Sequence, residues 1–113
     1  NHKIVRDEKK NQIKKAMIPC VTFDFIIDKY NIQKLDFLQI DTEGYDYKIL
    51  QSIDFNKIRP EVIHFEHSHL KDRMYKKCFK FLYHNNYRTY VGFADTFAIS
   101  SEIENVLLKY ISA

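Results

Sequence analysis

Acidic residues cluster at one point of the sequence, where an apolar run stops. In the segment FLQIDTEGYDYKIL, residues 37–50, the carboxylates of Asp41, Glu43 and Asp46 surround Gly44, one of only two glycines in 113 residues. Carboxylates accept protons as general bases, and their oxygens bind divalent cations such as Mg²⁺. The segment therefore predicts a site of acid–base or metal chemistry, without deciding between the two.

A second group of titratable residues ends another apolar run, EVIHFEHS. Successive residues of a strand point to opposite faces, so Glu66 and His67 are alternatives for a place in a site. His64 lies in mid-strand and is predicted to be a hydrogen-bonded interior side chain. His69 is predicted to belong to the start of the next helix.

Two predicted strands, residues 35–41 and 61–68, must position these groups. Both are short and largely apolar, which is typical of strands buried on both faces. Helical patterns alternate with them, and such alternation indicates an α/β fold with parallel strands. Ligands bind at the carboxyl ends of strands in open α/β sheets. If the two strands are neighbours, Asp41 and Glu66 meet at that edge.

Four helices are predicted around these strands. Thr22 caps the first, which ends near Asn31, and Thr42 caps the second, with Glu43 and Asp46 in its first turn. The third and fourth have apolar faces that point inward, formed respectively by Leu70, Met74, Cys78 and Leu82 and by Ile103, Val106, Leu107, Tyr110 and Ile111. Before the last helix, residues 87–91 and 96–100 predict a hairpin around GFAD.

Composition limits the remaining possibilities. Residues 1–17 predict a basic, solvated segment, with a phosphate-binding arm as the alternative, and residues 18–113 predict one domain. The net charge of +3 is too small to indicate a nucleic-acid partner. No run of 18 apolar residues predicts a membrane span. Cys20 and Cys78 form no C-x-x-C motif and are predicted to be buried thiols, which favours a cytoplasmic location.

The acidic segment resembles the hallmark of the FkbM family of S-adenosylmethionine-dependent methyltransferases. The hallmark is a hydrophobic strand, Ile-Asp-x-Glu-Gly, a further acid and a short helix, here Ile40 to Leu50. Thr22 and Asp24 resemble the Val-x-Thr-Leu-Asp sequence before it, and PEVIHFEHS resembles the Pro-x-x-Ile-x-x-Glu strand after it. With the Leu82–Tyr87 region, the resemblance covers residues 18–100. Three positions depart from the usual pattern: Thr42, Asp46 and Asn86.

The resemblance implies the C-terminal half of a class I, Rossmann-like methyltransferase sheet. Its strands are parallel except for a final antiparallel hairpin strand, which inserts beside the 61–68 strand, and helices cover both faces. The glycine-rich turn and ribose-binding acid of such enzymes have no counterpart in residues 1–17. We therefore expect an incomplete partial domain that is inactive alone.

The implied activity is methyl transfer from S-adenosylmethionine to a hydroxyl of a saccharide, polyketide or similar small molecule. Asp41 is the predicted general base, with Glu66 or His67 as the second choice. Asp41 and Thr42 are expected at the cofactor; Glu43, Gly44 and Asp46 bind substrate or fix the turn. Mg²⁺ is possible, but no metal ligand is assigned.

Two other function classes compete with the methyltransferase. A non-catalytic binding module would keep the fold without the chemistry. A metal-dependent nuclease would also use clustered acids, but its Glu-x-Lys pattern is absent because Glu66 precedes His67 and Ser68. The oligomeric state is not predicted.

Overall fold

The structure, a computed structural model, describes residues 3–7 and 12–111. Six strands and four helices follow one another along this part of the chain. In order they are β1 (Lys3–Asp7), β2 (Gln12–Ala16), α1 (Phe23–Lys29), β3 (Phe37–Ile40), α2 (Asp46–Gln51), β4 (Val62–Glu66), α3 (Asp72–His84), β5 (Tyr87–Val91), β6 (Asp95–Ser100) and α4 (Ser101–Ile111). From α1 onward, this order is the predicted one.

A mixed four-stranded sheet organises the chain from residue 37 to residue 100, in the order β3-β4-β6-β5. β3 and β4 are parallel, and β6 runs antiparallel to both of its neighbours, β4 and β5. The predicted insertion of the last strand beside β4 is confirmed. In this register Ile40 lies opposite Phe65, and Glu66 lies opposite Asp95.

One face of this sheet carries the core. Ile63, Phe65 and Ala98 are fully buried there, and Cys78 and Leu82 of α3 are equally buried above them. The ring of Phe65 lies 6.4 Å from that of Phe79 on α3. Cys78 and Leu82, which are four residues apart on α3, therefore both face the core, as predicted.

The opposite face is partly open, which corrects the prediction that β3 and β4 are buried on both faces. Phe37 is 49% exposed and Phe97 is 43% exposed on this face. α4 contacts it near β5, where Glu104 accepts a hydrogen bond from Tyr90 and pairs with Arg88. Helices therefore lie against both faces, as expected, but α4 does not extend over β3 and β4.

The first helix begins and ends as its sequence predicts. Thr22 has an extended backbone, and its hydroxyl accepts a hydrogen bond from the Phe25 amide at 3.1 Å. Asn31 follows the helix with φ of +48°. Asn86 has φ of +61° after α3, so both asparagines stop helices in the left-handed conformation that this residue tolerates.

The N-terminal tract contains a hairpin that was not predicted. β1 and β2 pair antiparallel, with Lys3 opposite Ala16 and Asp7 opposite Gln12, in a sheet of their own. Strand formation was missed because lysine is depleted in strands and gives the tract no strong β preference. The predicted division into residues 1–17 and 18–113 stays a prediction.

Two further predictions of burial are wrong. The apolar residues of α4 predicted to face inward include Val106, Leu107, Tyr110 and Ile111, which are 45% to 80% exposed. The pattern fixed which residues share a helix face, but no neighbouring element among the described residues covers that face. Cys20 is exposed rather than buried, since it lies in the irregular segment before α1. In the described chain, no helix combines the length and apolar character needed to cross a membrane.

Candidate functional site

The turn between β3 and α2 places the acidic motif outside the helix. α2 begins at Asp46 after Tyr45, so Thr42 is not its cap and Glu43 is not in its first turn, contrary to prediction. Glu43 has φ of +54° and Gly44 has φ of +110°, so two successive residues adopt left-handed backbone. Only glycine adopts the backbone conformation of residue 44 without strain, which explains why a glycine stands at this position.

Asp46 is buried and joins the two strand ends. Its side chain is 1% exposed, yet one carboxylate oxygen accepts hydrogen bonds from both the amide, at 3.0 Å, and the hydroxyl of Thr42. The other oxygen accepts one from the Glu66 amide at 3.1 Å. A buried carboxylate needs such donors. Asp46 was predicted either to bind substrate or to fix the turn, and these hydrogen bonds support the second role.

A pocket of about 190 Å³ opens where β3 and β4 end. It is lined by Gln39, Ile40, Asp41, His64, Glu66 and Asp95. The parallel pairing of β3 with β4 thus brings Asp41 and Glu66 to one edge, as their positions in the sequence predicted. Known small-molecule sites occupy about 300 to 1,000 Å³, so this pocket would hold only part of a ligand.

Two titratable residues of the pocket were missed by sequence reasoning. His64 is half-buried rather than interior; its ring stacks on Phe97 at 4.4 Å, and its Nε2 lies 3.7 Å from an oxygen of Asp95. The sequence carried a signal for His64. Side chains alternate between the two faces along a strand, so His64 and Glu66, two residues apart, lie on the same face. Asp95 could not be placed before the antiparallel register of β6 against β4 was known.

His67 points to the other side of the sheet. Its Nδ1 lies 2.9 Å from the hydroxyl of Thr96, and its ring packs edge-on against Tyr75 of α3. The predicted opposition of Glu66 and His67 is therefore confirmed. Glu66 lines the pocket, whereas His67 packs beneath α3.

A second polar group lies at the same strand ends. The Nε2 of His69 is 3.0 Å from an oxygen of Glu43 and 3.4 Å from an oxygen of Glu66. These three side chains can each offer a ligand atom to a metal ion, and the atoms lie within 4.8 Å of one another. Contrary to prediction, His69 precedes α3, in the turn after β4.

Burial is strong directly beneath this edge. Burial, and secondly the negative charge of Asp46, raises the pKa of the Cys78 thiol to about 12. Burial also raises the pKa of Tyr47, with a smaller contribution from Cys78. Burial therefore makes charge unfavourable at the side chains of Cys78 and Tyr47.

A comparison with protein families gives one finding. The family model described as Methyltransferase FkbM domain matches residues 2–89, which is more than half of the chain. The matched region begins before the 18–100 span of the motif resemblance and includes the β1–β2 hairpin as well as Asp41 and Glu66. Comparisons with curated proteins and with solved structures give no significant match.

Proposed function

The chain belongs to the FkbM methyltransferase domain family. We therefore propose that it takes part in the transfer of a methyl group from S-adenosylmethionine to a hydroxyl oxygen. The acceptor class we propose is a saccharide, a polyketide or a similar small molecule. We further propose that the mixed sheet belongs to the class I, Rossmann-like type. The observation that carries the proposal is the pocket in which Asp41 and Glu66 meet at the ends of β3 and β4.

The chemistry requires little covalent assistance. The hydroxyl oxygen attacks the methyl carbon, the carbon–sulfur bond breaks with its electron pair remaining on sulfur, and the hydroxyl proton passes to a base. S-adenosylmethionine supplies an already electrophilic methyl group. Positioning of the two reacting atoms then accounts for most of the acceleration.

Asp41 is the proposed general base. It follows β3 directly, it is exposed, and it lines the pocket. Glu66 is the second choice, since it faces the same pocket with its side chain 25% exposed. His67 is a poorer candidate because it contacts Thr96 behind the sheet. A positioned base contributes about 10²- to 10⁴-fold to the rate.

The cofactor is proposed to approach Asp41 and Thr42 from the edge of β3. Asp41 lines the pocket, so its carboxylate is accessible to a ligand. The hydroxyl of Thr42 already donates a hydrogen bond to Asp46 and is therefore less available to the cofactor. A pocket of about 190 Å³ suits the acceptor hydroxyl and the reacting methyl rather than a whole nucleoside. We therefore expect weak cofactor binding by residues 1–113 alone.

The experiment measures S-adenosylmethionine binding by calorimetry, then transfer of a labelled methyl group to a panel of sugars and polyols. It compares the 113-residue chain with any longer product of the same reading frame. In whichever form binds, Asp41→Asn should lower the rate of transfer by about 10²- to 10⁴-fold, measured at a saturating concentration of S-adenosylmethionine. Glu102→Gln, an exposed acid on α4, is the matched control.

Two results would contradict the proposal. If no form of the protein binds S-adenosylmethionine, the domain acts as a binding module without methyl transfer. If Asp41→Asn transfers methyl groups at the unaltered rate, Asp41 is not the base, and the same assay on Glu66→Gln then identifies or excludes the second choice.

A further inference from the structure

We propose that Glu43, Glu66 and His69 form a binding site for one divalent transition-metal ion of the Zn²⁺ or Mn²⁺ type. The three side chains come from separate segments: the β3–α2 turn, the end of β4 and the turn before α3. Each presents one ligand atom, and all three atoms lie within 4.8 Å of one another. This proposal concerns ion binding and holds whether or not methyl transfer occurs.

Two of the three separations between the ligand atoms are close to those of a coordination shell. Carboxylate oxygens and imidazole nitrogens bind zinc at about 2.0 to 2.2 Å, so neighbouring ligands of a tetrahedral ion lie about 3.3 to 3.6 Å apart. His69 Nε2 is 3.0 Å from the Glu43 oxygen and 3.4 Å from the Glu66 oxygen. The third separation, between the Glu43 and Glu66 oxygens, is within 4.8 Å. One ion can therefore contact all three atoms after side-chain shifts that bring the two carboxylate oxygens to the tetrahedral separation.

Charge balance favours a cation at this point. Glu43 and Glu66 bring two negative charges to one imidazole, and no lysine or arginine of the described residues pairs with either. A single Nε2–H can donate to only one of the two carboxylate oxygens that face it. A divalent ion would interact with both carboxylates and with the neutral imidazole nitrogen.

Asp46 holds the backbone of this site in place. Its buried carboxylate accepts the amide of Thr42, next to Glu43, and the amide of Glu66 itself. At Gly44, a Cβ atom would stand 3.6 Å from the Cβ of His69, so the two turns approach each other closely. Two ligands therefore start from positions fixed by a buried group, which lowers the ordering cost of ion binding.

The donor set selects the class of ion. One imidazole nitrogen with two carboxylate oxygens suits zinc, manganese or iron, whereas Mg²⁺ and Ca²⁺ prefer oxygen ligands alone. Three protein ligands leave further positions for water or a ligand hydroxyl. Because Glu66 also lines the neighbouring pocket, an ion here would face whatever occupies that pocket.

The test is a titration of the chelator-treated chain with MnCl₂, followed by the electron paramagnetic resonance signal of free Mn²⁺, with ZnCl₂ as competitor. Mn²⁺ is the primary probe because it binds thiols weakly and so avoids Cys20. We expect one saturable Mn²⁺ per chain, displaced by Zn²⁺, and much weaker binding of MgCl₂.

Matched variants locate the ion. Glu43→Gln, Glu66→Gln and His69→Asn should each lower the affinity about tenfold or more, because loss of an outer partner alone costs about 10- to 100-fold. His84→Asn and Glu102→Gln are the controls, since both residues are exposed and form no ion pair within the described chain. Circular dichroism checks that every variant is folded.

The alternative is that His69 contacts the two glutamates without any metal. Absence of saturable Mn²⁺ and Zn²⁺ binding would favour that alternative and overturn the proposal. It is also overturned if any one of the three folded ligand variants keeps the original affinity, or if a control variant loses it. None of these readouts uses S-adenosylmethionine, so failure here is distinct from failure of the proposed activity.

Discussion

The two faces of the four-stranded sheet are made by the same strands but meet different surroundings. On one face Ile63, Phe65 and Ala98 have no exposed surface. On the other, Phe97 is 43% exposed and Tyr90 is 50% exposed. The buried face forms part of the hydrophobic core, and the open face carries the titratable residues of the pocket. Stability and binding chemistry are therefore separated across one sheet.

This separation follows from the alternation of side chains along β4. Ile63 and Phe65 point into the core, whereas His64 and Glu66 point to the open face. Residues of the open face can be polar because water reaches them, and they can be varied with little cost to folding. Substitutions that compare the two faces should therefore differ strongly in effect.

The largest effect is expected at the buried face. Phe65→Ala removes a fully buried ring beneath α3 and should lower the free energy of unfolding by about 3 to 5 kcal/mol. Phe97→Ala is the matched control, because the same ring is removed from the open face of β6, one residue after Thr96, the register partner of Phe65. It should cost about 1 kcal/mol or less. Urea unfolding of both variants measures the difference, and equal losses would contradict the division between the faces.

Much of this arrangement could be predicted from the sequence. The order of elements from α1 to α4, the cap at Thr22 and the meeting of Asp41 with Glu66 depend on local patterns and on the parallel pairing of β3 with β4. The insertion of β6 beside β4 was implied by the family resemblance rather than by any pattern, and the structure shows it.

The parts that could not be predicted depend on contacts between distant residues. Asp46 looked like a helix-dipole carboxylate, and only the fold shows that it accepts a hydrogen bond from the Glu66 amide, 20 residues later. The grouping of Glu43 with His69 likewise requires two left-handed residues that a helix-start pattern does not indicate. Sequence patterns identified the acids, but the contacts that these acids make depend on the geometry of the turn.

An intermediate effect is expected where the two faces meet, at the strand ends. Asp46→Asn keeps the shape of the side chain but replaces one acceptor oxygen by an amide donor, which then opposes an existing donor. Hydrogen bonds to charged groups contribute about 1.5 to 3 kcal/mol, so a loss of roughly that size is expected in urea unfolding. Glu102→Gln, on the surface, should change stability by less than about 0.5 kcal/mol.

The same substitution also tests the link between the buried layer and the open rim. If Asp46 holds Glu43 and Glu66 in place, Asp46→Asn should weaken Mn²⁺ binding although it removes no ligand. An Asp46→Asn protein as stable as the original would show that the hydrogen bonds lost with one carboxylate oxygen contribute nothing to the fold.

The smallest effect is a pH dependence to which the buried face contributes most. Burial raises the pKa of Cys78 from 9.0 to about 12, and burial likewise raises the pKa of Tyr87 from 10.0 to about 12. Both groups hold their protons more tightly in the folded chain, so their contribution is complete below pH 9 and is lost as the pH rises toward 12. Between pH 8 and pH 10 the free energy of unfolding should fall by about 1 to 2 kcal/mol.

A pair of cysteine variants assigns that alkaline loss to one face. Cys78→Ala lacks the buried thiol and should show a flatter decline from pH 8 to pH 10 than the original chain, measured by urea unfolding under reducing conditions. Cys20→Ser should keep the original slope, because Cys20 is exposed outside the sheet. If the free energy of unfolding of both variants falls with pH as that of the original does, the alkaline loss has another source. The raised pKa of Cys78 is then not its cause.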